Sequence, residues 1–313
     1  MSFRAGQGLG YKFSMQPTSP FAGASGTFLI GGDLPVHRLG YGTMRLVGDG
    51  AWGEPSDAEE ARRVLRRAVE LGVNLIDTAD AYGPEIAERI IAEALHPYAW
   101  GLVIATKGGI TRQGPAKTEY VGRAGYLIQC VEMSLRRLKL ERIELYQLHR
   151  IDPRTPLEES LGALKRMQEQ GKIRHIGLSE VSPAEIEEAG KIVTVTTVQN
   201  RYSLADRRNE EALKYCEQKG IGFLPWYPMA GGKMLKADQP AEPQLAAIAG
   251  RHGVSVAQIS IAWLLQRSPV MLPIPGTSKG AHLEENVAAA GVKLSAEEWA
   301  EVEKVAGGAN HGN

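Results

Sequence analysis

Leu75-Ile76-Asp77-Thr78-Ala79 decides how this chain is read: an apolar run that stops abruptly on a carboxylate. Six more runs end on a polar or special residue. They are Val103-Ile104-Ala105-Thr106-Lys107, Leu145-Tyr146-Gln147-Leu148-His149, Ile176-Gly177-Leu178-Ser179, Val198-Gln199-Asn200, Phe223-Leu224-Pro225-Trp226 and Leu272-Pro273-Ile274-Pro275-Gly276. Buried parallel strands read as continuous apolar stretches because helices cover both their faces. Strand followed by helix, about eight times over, is the pattern of an α/β fold of the (β/α)8 TIM-barrel type, in which chemistry collects where strands stop. An open doubly wound sheet is the rival. Against it, Gly40-Tyr41-Gly42-Thr43 lacks the third glycine of a dinucleotide fingerprint and runs into a loop rather than a helix.

Flanking signals divide the chain. Residues 1–26 are rich in Gly, Ser and Pro, carry only Arg4 and Lys12 as charges, and read as a loose tail. The barrel occupies 27–308, and 309–313 form a short C-terminal tail. At the start, Phe28-Leu29-Ile30, Gly31-Gly32-Asp33 and Val36 predict a β-hairpin closing the bottom of the barrel. At the end, Ser295-Ala296-Glu297-Glu298 opens an extra C-terminal helix. Similar capping boxes are expected at Ser56/Glu59, Thr155/Glu158 and Ser182/Glu185, where side chains satisfy amides that the first helical turn leaves unpaired.

Composition removes several functions. The 36 basic and 36 acidic residues balance, so no global field favours nucleic acid or an anionic membrane. No apolar run reaches the roughly 18 residues of a membrane span. The two cysteines, Cys130 and Cys216, read as packing residues, and their scarcity fits a reducing cytoplasm. No clustered Cys/His spacing points to a metal.

The polar run ends carry a chemistry of their own. Reducing a carbonyl needs a hydride at carbon and a proton at the developing alkoxide. Tyr82 is the candidate acid, but an ordinary phenol has a pKa near 10, poorly matched to neutral pH. An ammonium at Lys107 would stabilise the phenolate, Asp77 would hold Lys107 charged, and His149 could hydrogen-bond the substrate oxygen. Substrate selection falls to the longest loops, 46–57 and 108–122, with Met44, Trp52 and Tyr120 as the candidate wall.

Several motifs in order carry a family resemblance: Gly40-Tyr41-Gly42-Thr43, Asp77-Thr78-Ala79-Asp80-Ala81-Tyr82-Gly83, Thr106-Lys107, Leu148-His149, Gln199-Asn200-Arg201-Tyr202, and Pro275-Gly276-Thr277-Ser278 followed by Glu285-Asn286. From about Thr27 to Val305 the chain resembles the aldo-keto reductases, and looks closest to bacterial reductases of the pyridoxal-reductase type. The resemblance implies Asp77, Tyr82, Lys107 and His149 as a catalytic tetrad, and NADP(H) as cofactor. It implies Gly42 and Thr43 as cofactor-binding residues, Ser179 and Gln199 on the nicotinamide carboxamide, and Trp226 stacked on the ring. Tyr227, Pro228, Met229 and Gly231, in a segment running to Lys233, match the loop over the pyrophosphate. Gly276, Thr277, Lys279, His282, Glu285 and Asn286 match the adenosine end. Three positions depart from the family pattern. Glu180 stands where Asn is commoner, Gly276 where many relatives have Lys, and His282 where many have Arg.

The implied function is NADPH-dependent reduction of an aldehyde or reactive ketone, pyridoxal among the candidates, by a cytoplasmic monomer or weak homo-oligomer whose partner is a small carbonyl compound. A regulatory subunit resembling the potassium-channel β subunits is the alternative. An unrelated metal-dependent barrel hydrolase is a third reading.

Overall fold

Thr27–Ile30 (β1) and Leu34–His37 (β2) pair antiparallel across the Gly31–Asp33 turn, as the sequence predicts. A computed structural model of the chain describes residues 22–229 and 242–308. Ordered packing begins ahead of the hairpin, within the segment read as a tail. Ala22–Ser25 forms a 3-10 turn in which Ala22 is buried and donates its N–H to Leu71 O at 2.9 Å.

Seven parallel strands follow: Tyr41–Gly42 (β3), Leu75–Asp77 (β4), Val103–Gly108 (β5), Ile143–Leu148 (β8), Ile173–Ser179 (β9), Val195–Gln199 (β10) and Gly222–Phe223 (β11). They are hydrogen-bonded in the order β3-β4-β5-β8-β9-β10-β11. The eighth position belongs to an extended segment around Met271–Ile274. Leu272 N–H donates to Phe223 O at 2.8 Å, and Gly40 N–H donates to Pro273 O at 2.9 Å, so the segment bonds both edges and closes the barrel. Its Pro273 and Pro275 have no N–H to donate, which limits its ladder on either side. The closure is also tight: a Cβ on Gly42 would lie 2.7 Å from Ile274 O, and one on Gly276 would lie 2.7 Å from Gly42 O. Only glycine lets these backbones approach so closely.

Inside, Leu75, Val103, Leu145, Leu224 and Leu272 meet Ile30, Leu34 and Val36 of the hairpin, which therefore plugs the N-terminal end. Outside lie Ala58–Glu70 (α1), Ile86–Leu95 (α2), Ala124–Leu138 (α3), Leu157–Glu169 (α4), Pro183–Gly190 (α5), Glu210–Lys219 (α6), Glu242–His252 (α7), Val256–Arg267 (α8), Gly280–Ala288 (α9) and Ala296–Gly308 (α10), the extra C-terminal helix. Helix α1 buries Ala61, Val64, Leu65 and Ala68 while its arginines reach outward to glutamates. Two caps differ from expectation. Asp57, not Ser56, accepts from Glu60 N at 2.8 Å, and Thr155 Oγ1 donates to Asp152 rather than capping α4. The Ser182/Glu185 and Ser295/Glu298 boxes form.

The 108–122 loop contains a second hairpin, Ile110–Gly114 (β6) and Lys117–Tyr120 (β7). Its strands carry Thr111-Arg112-Gln113 and Lys117-Thr118-Glu119, and β7 is exposed along its whole length. In the two strands only Ile110 and Gly114 are buried, too few for an apolar alternation that a sequence reading could catch.

Candidate active site

The C-terminal ends of the strands surround a cavity of about 300 Å³. Residues two apart on a strand face the same way, so β4, β5, β8 and β10 aim Asp77, Lys107, Gln147 and Gln199 into one place. Lys107 Nζ donates to Asp77 Oδ2 at 2.7 Å, to Thr78 O at 2.8 Å, and to Tyr82 Oη at 3.3 Å. The other oxygen of Asp77 accepts from Gln147 Nε2 at 3.0 Å and Gln199 Nε2 at 2.8 Å. Both charged side chains are shut off from water, with exposures of 0% and 3%.

Burial alone would discharge Lys107; the attraction of Asp77 and Tyr82 outweighs it and holds the ammonium above its usual pKa. His149 moves the opposite way. Burial, then the positive charges of Lys107, Arg150 and Arg112, push it well below the ordinary imidazole value, so the ring is neutral. Its Nδ1 is buried without a partner among the described residues, and the ring lines the cavity. The Tyr82 and His149 rings stand edge to face, 6.0 Å apart. The structure thus brings Asp77, Tyr82, Lys107 and His149 together.

The remaining sequence candidates sort by position. Gly42, Thr43, Met44, Tyr120, Ser179, Gln199, Trp226, Tyr227, Pro228, Met229 and Gly276 line the cavity. Trp52 does not; its backbone bridges Gly83 instead. Gly231 and Lys233 lie outside the described residues. Thr277, Lys279, His282, Glu285 and Asn286 follow the barrel-closing segment, on and just before α9. There Asn286 is 4% exposed and its Nδ2 has no partner among the described residues. Lys279 stands at the N-cap, and Thr277 Oγ1 accepts from Lys279 N at 3.1 Å.

Three arrangements escaped the sequence reading. Glu180 adopts a left-handed backbone (φ 56°) and turns its carboxylate onto Trp226 Nε1 and Arg201 N, both at 2.6 Å. The residue that departs from the family pattern therefore holds the indole. Gln199, expected on a carboxamide, gives its amide to Asp77; the alternation Gln147-Leu148-His149 was the signal that could have found its neighbour Gln147. Last, Glu60 Oε1 accepts from Gly280 N at 3.3 Å, placing a carboxylate against the first turn of α9.

The sequence pattern of the Aldo/keto reductase family matches residues 38–306. The chain belongs to that family. It is 50% identical over 283 residues to an uncharacterized oxidoreductase of Schizosaccharomyces pombe, covering 90% of each chain. It is 41% identical over 280 residues to pyridoxine 4-dehydrogenase of Escherichia coli, covering 88% of this chain and 96% of the relative. Among solved structures it resembles an aldo-keto reductase from Klebsiella pneumoniae in complex with NADPH, with TM-score 0.75 and 26% identity over 89% of this chain and 94% of that one. This aldo/keto reductase is an oxidoreductase on the (β/α)8 scaffold, and NADP(H) is the cofactor of its family. Among the described residues, no group of three or more His, Cys, Asp or Glu is disposed to hold a metal, and no helix is long and apolar enough to cross a membrane.

Proposed function

We propose that this chain uses NADPH to reduce an aldehyde or reactive ketone to the alcohol, with Tyr82 as general acid and pyridoxal among its substrates. The observation that carries the reading is the buried ammonium of Lys107, held between Asp77 Oδ2 and Tyr82 Oη, whose residues line the cavity. The pyridoxal assignment is supported by the 41% identity to pyridoxine 4-dehydrogenase.

The residues present fit the cofactor. Ser179 and Trp226 would hold its nicotinamide end, Tyr227, Pro228 and Met229 the stretch beyond, and Thr277, Lys279 and the unpartnered Asn286 amide its adenosine end. When bound, NADPH supplies the hydride. The protein's own part is proton and charge management. Tyr82 gives its hydroxyl proton to the carbonyl oxygen as negative charge grows there. Lys107, kept charged by Asp77, stabilises the phenolate left behind. Neutral His149 donates from Nε2 to the same oxygen, orienting the carbonyl without taking the proton that Tyr82 must deliver. Gln147 and Gln199 fix the carboxylate of Asp77, so the chain of donors is set before substrate arrives.

The test is NADPH oxidation with pyridoxal or 4-nitrobenzaldehyde, read at 340 nm. Tyr82→Phe should cut kcat by roughly 10²–10⁴ while the NADPH dissociation constant stays near that of the unmodified chain. Turnover unchanged in that variant would refute the role of Tyr82.

A further inference from the structure

Three guanidinium groups line the cavity, on Arg45, Arg112 and Arg150, and among the described residues none is paired with a carboxylate. Lys107, by contrast, is neutralised by Asp77 at 2.7 Å. The cavity wall therefore carries uncompensated positive charge.

Two of the three are answered elsewhere in the proposed reaction. Arg45 lies beside Gly276, its Cγ 3.6 Å from where a Cβ there would stand, on the side of the dinucleotide track and its phosphates. Arg150 spends Nη1 on His149 O and on Ser179 Oγ, at the nicotinamide end. Arg112 is different. It projects from the β6–β7 hairpin, and its Nε donates to Ala81 O at 3.1 Å and its Nη1 to Gly50 O at 3.4 Å. These carbonyls fix the guanidinium plane next to Tyr82 but bring no negative charge. Burial pulls the Arg112 group below its usual pKa, yet a guanidinium stays charged. Thr118, its cross-strand partner, also lines the cavity, so a guanidinium and a hydroxyl are presented side by side.

We propose that Arg112, with Thr118 beside it, determines specificity by binding an oxyanion, carboxylate or phosphate monoester, that the carbonyl substrate carries away from its reacting carbon. This rests on the reductase reading above and adds to it the class of substrate. A half-buried cation with only carbonyl partners gains most from an anion, and the planar fork suits a carboxylate or phosphate in two-point contact. A neutral aldehyde leaves the cation unanswered, so charge becomes the basis of discrimination.

The experiment compares matched substrates with NADPH and the full chain: pyridoxal 5′-phosphate against pyridoxal, and 4-carboxybenzaldehyde against methyl 4-formylbenzoate. The expected result is a higher kcat/KM for the anionic member of at least one pair, and the pair that shows it identifies phosphate or carboxylate. Arg112→Gln should lower that anionic-to-neutral ratio at least tenfold, mainly through KM, and Arg112→Lys should keep a larger part of it. Should Arg112→Gln fail to fold, the ratio in the unmodified chain and in Arg112→Lys decides. Reduction of the neutral aldehydes with no anionic preference, or with a ratio that Arg112→Gln leaves unchanged, overturns the role of Arg112 alone. Absence of NADPH oxidation with every aldehyde overturns the reductase reading and this assignment together.

Discussion

Replacing Asp77 by Asn separates what the buried ion pair does for the fold from what it does for the reaction. At 2.7 Å and an effective dielectric of about 20, the Asp77–Lys107 attraction is roughly 6 kcal/mol. Desolvating the two ions offsets most of that, since each costs several kcal/mol. Removing one partner keeps the cost and loses the attraction. With Lys107 fully buried, Asp77→Asn should therefore destabilise the fold by about 3–5 kcal/mol at pH 7. The Asn amide also turns an N–H₂ toward either Lys107 or the two glutamine donors. The pH dependence follows from Lys107. In the unmodified chain its folded pKa is raised, so the pair's contribution is present below the unfolded value, near 10.4, and fades above it. Without Asp77, burial dominates and the folded pKa drops below the unfolded one, so the variant loses stability as pH falls from about 10 and regains it as pH rises. The two stability curves should converge toward pH 10. Urea denaturation from pH 6 to 10 gives both curves. The double variant Asp77→Asn with Lys107→Met removes both charges, and should recover most of the stability while remaining without reductase activity. A single-variant loss below about 1 kcal/mol, independent of pH, would refute the description of a dry, mutually dependent pair. So would a double variant no more stable than the single.

Two further outcomes concern groups outside the ion pair. Asp80 is buried, its Oδ1 has no partner among the described residues, and burial followed by the charge of Glu88 pushes its pKa up to about 7. Between the unfolded value near 3.9 and about 7 only the unfolded chain loses the proton, so this carboxyl costs stability increasingly as pH rises through that window. Asp80→Asn should match the unmodified chain at pH 4 and exceed it at pH 8, by roughly 4 kcal/mol as an upper bound; a gap that does not change with pH in urea melts would refute this. Glu60 sets a carboxylate against the Gly280 amide, the start of the helix proposed for the adenosine end. Glu60→Gln should improve NADPH affinity relative to NADH by roughly two- to fivefold, read by fluorescence titration, and an unchanged ratio would show that Glu60 does not face the 2′-phosphate.

What was legible in the sequence follows from what burial does to composition. A strand covered on both faces must be apolar until it reaches the cavity, so the run ends at Asp77, Lys107, His149, Ser179 and Gln199 mark the barrel rim before any coordinates are known. The eighth strand was legible for the same reason, although Pro273 and Pro275 weaken its ladder. The β6–β7 hairpin was not, because Ile110 and Gly114 are its only buried residues and the others read as an ordinary polar loop. The contacts that Glu180 and Gln199 make with Trp226 and Asp77 were not legible, because partner choice depends on backbone twist. A left-handed φ at residue 180 swings that carboxylate onto Trp226, and nothing in a string of letters reports φ.

The same distinction explains why the four residues proposed for the proton transfer stand out in the sequence and the group proposed to select substrate does not. A proton relay needs its members in fixed order at strand ends, and the barrel repeats supply that order. Substrate selection at Arg112 depends instead on an absence, the lack of any paired carboxylate among the described residues. A sequence with 36 basic and 36 acidic residues conceals that, because overall balance says nothing about local compensation. Arg154, on the neighbouring β8–α4 connection, shows the contrast: it reaches Glu119 at 2.7 Å and Asp152 at 3.0 Å and so carries no free charge to the cavity. Two arginines, identical in a composition count, thus differ in function because the fold gives carboxylates to one and only carbonyls to the other. The uncompensated charge is the property on which specificity can act, and it comes into existence only when the chain folds.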